Sequence, residues 1–176
     1  MNVSLKFLVL LVVMFPLIFV ASCGDDEEDV DREPLIIGTW TLTSQDVVNV
    51  KASAGGISDL PIPESIVNSF VDTLTIVPEN SKFTFNQNRT YTVEVPQQTT
   101  NLSGTWALSD DQSTITIAGF EAAEALLGSS DLVFVIQNID ATNFSIITSV
   151  PEITFPNVST FGTIQASGDY QLNLEK

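Results

Sequence analysis

"GTWTLTS", Gly38 to Ser44, and "GTWALSD", Gly104 to Asp110, are one phrase written twice. Glycine, threonine, tryptophan, a variable residue, leucine and a hydroxyl return at the same spacing. In an extended chain, side chains two residues apart share a face. Ile36, Gly38, Trp40 and Leu42 therefore point one way, and Ile37, Thr39, Thr41 and Thr43 the other. Glycine leaves room beside the backbone, and the indole two residues on supplies a ring large enough to fill it. Each copy reads as a strand with one apolar and one hydroxyl face. Trp40 and Trp106 are then either core plugs at a closed end or platforms lining a ligand cavity.

The period of two extends outward from both copies. It joins Phe83 with Phe85, Tyr91 with Val93 and Val95, Trp106 with Leu108, and Ile115 with Ile117. Further strands are expected over Leu132 to Ile139, Phe144 to Ser149, about Thr160 to Ala166, and Tyr170 to Leu174. Short polar turns separate neighbours: Gln87 with Asn88, Asp110 to Gln112, and Asp140 to Asn143. Loops this short join antiparallel partners, so the chain reads as an all-β antiparallel meander. Two stretches break the alternation. After Pro61 and Pro63, the residues Ile66, Val67, Phe70, Val71 and Leu74 recur at helical spacing, and "FEAAEALL", Phe120 to Leu127, reads as a second short helix closed by Gly128.

The motifs in order are "IIGTWTLTS" from Ile36, "FTFNQNRTYTV" from Phe83, "SGTWALSDDQSTITI" from Ser103 and "FVIQNIDATNFSII" from Phe134. This succession resembles the lipocalin-like domains of bacterial lipoproteins. The resemblance implies an up-and-down barrel of about eight strands, with one or two short helices and an internal cavity. The rival is an immunoglobulin-like sandwich, which also shows short alternating strands. The two differ in closure, because a barrel pairs the strand of Trp40 with that of Tyr170, Leu172 and Leu174. In lipocalins an arginine near the last strand packs on the first tryptophan, whereas the last strand here offers only Lys176.

Ahead of the domain, Lys6 precedes an unbroken apolar run from Phe7 to Ala21. Its 15 residues fall short of the roughly 20 that span a bilayer core, and Pro16 would kink such a helix. The pattern is that of a signal peptide. "VASC", Val20 to Cys23, resembles the bacterial lipoprotein signal, which implies cleavage before Cys23 and acylation of its thiol. Two or more acyl chains hold a protein stably on a bilayer. The alternative is ordinary secretion with cleavage after Ser22. Asp25, Asp26, Glu27, Glu28, Asp29, Asp31 and Glu33 then form a self-repelling, solvated tether. An acidic cluster after an acylated cysteine also resembles a surface-export signal of some Gram-negative lipoproteins. The expected organisation is a signal peptide over 1–22, an acidic tether over 23–33 and a barrel domain over 34–176, anchored to the outer membrane.

Residues 23–176 carry five basic and 22 acidic side chains, a formal charge of 5 − 22 = −17. That surface repels nucleic acid and anionic lipid. One cysteine excludes an intramolecular disulfide, so stability rests on a packed core. Without histidine, nucleophile elbow, phosphate loop or metal-ligand cluster, no catalytic residue, cofactor or metal is expected. Asp110 with Asp111 is the one adjacent carboxylate pair of the domain, and a solvated hairpin tip suits a turn better than a catalyst. Two roles stand against each other. One is a binding module taking a small apolar or amphipathic ligand, with Trp40, Phe83, Phe85, Tyr91 and Trp106 as lining residues. The other is a filled barrel that displays its loops to an envelope protein partner.

Overall fold

The computed structural model describes residues 31–61, 77–121, 123–124, 129–159 and 162–176. A one-turn helix α1, Glu33–Ile36, precedes eight strands: β1 Gly38–Ser53, β2 Lys82–Phe85, β3 Thr90–Glu94, β4 Leu102–Leu108, β5 Thr114–Ala118, β6 Leu132–Ile139, β7 Asn143–Ser159 and β8 Gly162–Glu175. Each strand pairs antiparallel with the next, and β8 pairs with β1 to close the barrel. Leu42 faces Leu174, Gln45 faces Leu172 and Val47 faces Tyr170 across that seam. The sandwich alternative is thereby excluded.

The elements follow from the period-two pattern. Phe83, Phe85, Tyr91, Val93, Ile115, Ile117, Phe134 and Ile136 are buried, while the residues between them are partly or fully exposed. Polar side chains hold the turns. In the β4–β5 turn the Asp111 carboxylate accepts the Ser113 backbone N–H at 3.1 Å. In the β6–β7 turn the Asp140 carboxylate accepts the backbone N–H groups of Thr142 and Asn143, both at 2.7 Å.

Three boundaries differ from the sequence reading. Ile36 belongs to α1 and not to the first strand, because Gly38 turns the chain with φ of 130°, a conformation that favours glycine. The runs around Ala166 and Leu172 form one strand, β8, with no break between them. β7 continues through Pro151 and Pro156 to Ser159. Each proline falls inside a register irregularity of the β7–β8 ladder, between Val150 and Ile153 or between Phe155 and Ser159. The paired part of β6 ends opposite Ile147, which leaves the other edge of β7 without β6 beyond that point. A residue lacking an N–H is tolerated at such a bulged edge. The helix expected around Ile66 to Leu74 lies outside the described residues. Of the one expected over Phe120 to Leu127, Phe120 precedes the helix, Glu121, Ala123 and Glu124 are helical, and 122 and 125–127 lie outside the described residues.

Gly104 is required for close approach. A Cβ there would sit 2.0 Å from the Ala118 carbonyl oxygen and 2.8 Å from Tyr91 Cε1. Tyr91 is its cross-strand partner, and the phenol ring covers the bare glycine.

Candidate functional site

The two ends of the barrel are built differently. At one end lie α1, the start of β1, the β2–β3, β4–β5 and β6–β7 turns, and the end of β8. This end is sealed. Trp40 is fully buried and its Nε1 donates to the Ile36 carbonyl at 2.7 Å. The Arg32 backbone N–H donates to the Gln112 side-chain oxygen at 2.6 Å, and the Lys176 N–H to the Thr142 carbonyl at 3.0 Å. Each tryptophan carries a cation on its face: Lys176 Nζ is 4.2 Å from the Trp40 ring centroid and the Arg89 guanidinium carbon 4.5 Å from that of Trp106. Arg89 also meets Glu33 at 2.6 Å, with both side chains substantially exposed, so that pair adds little by itself.

All five residues expected to line a cavity pack into one aromatic cluster. Trp40 meets Phe144 with centroids 5.3 Å apart, Phe144 meets Phe85 at 6.2 Å, and Phe85 meets Trp106 at 5.8 Å and Tyr91 at 6.4 Å. The tilted and edge-on geometries are those the ring quadrupoles favour. Trp106 is also buried, and its Nε1 donates to the Asn86 carbonyl at 3.2 Å.

One of the five, Phe83, stacks on Phe85 with centroids 6.5 Å apart and also faces a small apolar cavity of about 20 Å³. Val77, Ile117, Phe120, Leu132 and Phe134 share its wall, and β8 contributes Tyr170 and Leu172. The Tyr170 hydroxyl donates to the Gln45 side-chain oxygen. Leu132 opens β6, Phe120 follows β5 and Val77 precedes β2, so the cavity lies toward the end away from α1. That volume is room for about one water-sized body.

Tyr91 stands between the two regions. Its ring packs on Phe85 and, at 6.5 Å, on Phe120. Its residue is fully buried, and its hydroxyl has no hydrogen-bond partner among the described residues. Burial, with a smaller push from the Asp131 carboxylate, raises the phenol to about 12. It therefore remains a neutral donor at neutral pH.

Of the cavity residues the sequence reading named only Phe83, missing the other seven, and it missed Phe144 as a member of the ring cluster. Period two marks Phe134, Phe144 and Leu172 as inward, but which inward residues fill the barrel and which border a gap depends on strand tilt. Among the described residues no group of three or more His, Cys, Asp or Glu side chains is placed to hold a metal ion.

A family model described as a lipocalin-like domain matches residues 36–146. Among solved structures, the chain is similar to a lipocalin-like protein from Bacteroides uniformis, at 10% identity over 76% of this chain and 97% of that one, with a TM-score of 0.37. It is also similar to a DUF4847 family protein from Bacteroides vulgatus, at 14% identity over 78% and 95%, with a TM-score of 0.34. No curated protein matches.

Proposed function

Because the chain belongs to the lipocalin-like domain family, we propose that it is a binding module, held by a lipid on Cys23 at the outer membrane, whose barrel takes a narrow apolar group such as a hydrocarbon chain. The observation that carries the binding reading is the cavity bordered by Phe83, Ile117, Leu132, Phe134 and Leu172. Its wall offers dispersion contacts and almost no hydrogen bonding, so an apolar guest is matched and a polar one is not. Small-molecule pockets usually measure a few hundred Å³. A space of about 20 Å³ holds no more than a water-sized group, so admitting even a single chain requires a lining ring to move.

The anchor rests on the sequence: an apolar run of 15 residues, then Val20, Ala21, Ser22 and Cys23, then the acidic run that supplies a tether. The acidic run also supports export to the cell surface.

A second reading is favoured by the same small volume. Among the described residues the six bulkiest fully buried side chains are Trp40, Trp106, Tyr91, Phe85, Phe134 and Phe144, and an eight-stranded barrel is just wide enough for side chains to fill. On that reading the barrel is a non-catalytic scaffold whose loops meet an envelope protein partner.

Headspace chromatography of n-hexane over the protein separates the two. A binding module takes up hexane saturably, and Leu132→Trp, which fills the cavity, abolishes the uptake. Uptake no greater than in an equal mass of an unrelated filled barrel supports the scaffold. The anchor is tested apart from this by fractionation: Cys23→Ser moves the protein from the membrane to the soluble fraction, and its retention in membranes with the signal cleaved defeats the lipid anchor.

A further inference from the structure

A buried hydroxyl without a partner is a standing cost that phenylalanine would avoid. Leaving one polar group unsatisfied in the interior costs about 1 to 3 kcal/mol, and such groups in a folded protein call for an explanation. The Tyr91 hydroxyl is one: the residue is fully buried and the oxygen bonds to none of the described residues. The ring alone would serve to cover Gly104, since a phenylalanine covers a bare glycine as well.

The surroundings of that hydroxyl indicate what it can serve. It lies 2.9 Å from the point where a Gly104 Cβ would be, which places it on the wall formed by β4 and β5. Phe120, whose ring is 6.5 Å from that of Tyr91, also borders the apolar cavity. Tyr91 does not itself border that cavity, so a guest would reach the phenol by shifting the Phe120 ring that touches both. The Asp131 carboxylate acts on the phenol electrostatically and donates nothing, its Oδ1 accepting the Gly119 backbone N–H at 3.2 Å.

Resting on the apolar-ligand reading above, we infer that Tyr91 is a specificity-determining residue whose hydroxyl hydrogen-bonds the polar group of a single-chain neutral amphiphile, an alcohol, ester or amide, whose hydrocarbon part occupies the cavity beside Phe120. Neutrality follows from charge. The negative field of Asp131 and the desolvated setting that hold the phenol protonated both disfavour a carboxylate in the same place. The apolar wall fixes the chain, and the single hydroxyl selects its end.

The test titrates the full domain with 1-hexanol, n-hexane and hexanoate, followed by methyl NMR, in the wild type and in Tyr91→Phe. That variant keeps the ring over Gly104, and its fold is verified by the same spectra. Expected is a loss of 1-hexanol affinity of about 5- to 10-fold in Tyr91→Phe, the size of one hydrogen bond. Hexane affinity should change by less than about twofold, and hexanoate should bind more weakly than 1-hexanol to the wild type. If hexane and 1-hexanol both bind and Tyr91→Phe alters them equally or not at all, the role of Tyr91 is overturned while the cavity reading stands. Hexanoate binding more tightly than 1-hexanol overturns the neutral class. If neither hexane nor 1-hexanol binds the wild type, the cavity reading and this inference fall together.

Discussion

Lys176 lies across the ring of Trp40, its Nζ 4.2 Å from the ring centroid, and donates to the carbonyl of Leu35 at 2.8 Å. The residue just past β8 is thereby fastened to the first tryptophan and to α1, at the end where β1 and β8 close the barrel. The ammonium gains both from the ring quadrupole and from carbonyls at the C-terminal end of α1. Lys176→Met, which keeps much of the stem but removes the charge, should cost about 1 kcal/mol in urea unfolding, and Lys176→Arg should cost less. Trp40→Ala removes the ring itself and should cost about 3 to 5 kcal/mol. Strong acrylamide quenching of Trp40 fluorescence in the folded protein would contradict its place in the core.

Gly104→Ala should be among the most damaging single substitutions in the barrel, at about 3 kcal/mol or more. The added Cβ would sit 2.0 Å from the Ala118 carbonyl oxygen, which is backbone and cannot turn aside. Gly55→Ala is the control. Its φ is 58° and nothing lies within 4 Å of the new carbon, so it bears only the left-handed strain, about 1 kcal/mol. Thermal unfolding of both variants tests the contrast, and adding Tyr91→Phe to Gly104→Ala should not restore stability, since the backbone clash persists.

The turn carboxylates predict the acid limb of the stability profile. The Ser109 hydroxyl, followed by the backbone and hydroxyl of Ser113, lowers Asp111 to about 2, and the Thr142 and Asn143 backbone N–H groups lower Asp140 to about 2. A folded value below the unfolded one means that the ionised form is favoured in the native state. The contribution is therefore whole above about pH 4 and disappears as pH falls through about 2. Urea midpoints measured from pH 5 to pH 2 should fall less steeply in Asp111→Ala/Asp140→Ala than in the wild type. Parallel curves would mean that these bonds do not differ between folded and unfolded chains.

The alternation of Gly38, Trp40 and Leu42, and of Phe83 and Phe85, suffices to orient the barrel wall, because a strand has only two faces. Closure was legible through the resemblance of ordered motifs and not through any one strand. The prolines at 151 and 156 obscured β7, since tolerance of a missing N–H depends on bulges and a free edge that only the assembled sheet defines. Candidate site residues were legible as inward-facing but not as lining. Trp40 and Phe83 face one another across the β1–β2 ladder and both join the aromatic cluster, yet only Phe83 borders the cavity. That division depends on how rings from distant strands, such as Phe144 on β7 and Phe120 after β5, share the interior. Sequence spacing carries no record of it.

An apolar guest should enter at the end away from α1 and nowhere else in the barrel. Methyl NMR during an n-hexane titration tests it most directly, with Ile117, Leu132 and Leu172 as reporters of the cavity and Leu42 and Ile115 as reporters of the core beyond its lining. Saturable shifts are expected at the first three and nothing beyond small relayed changes at the other two. Absence of saturable shifts at Ile117, Leu132 and Leu172, with the domain folded, would contradict it.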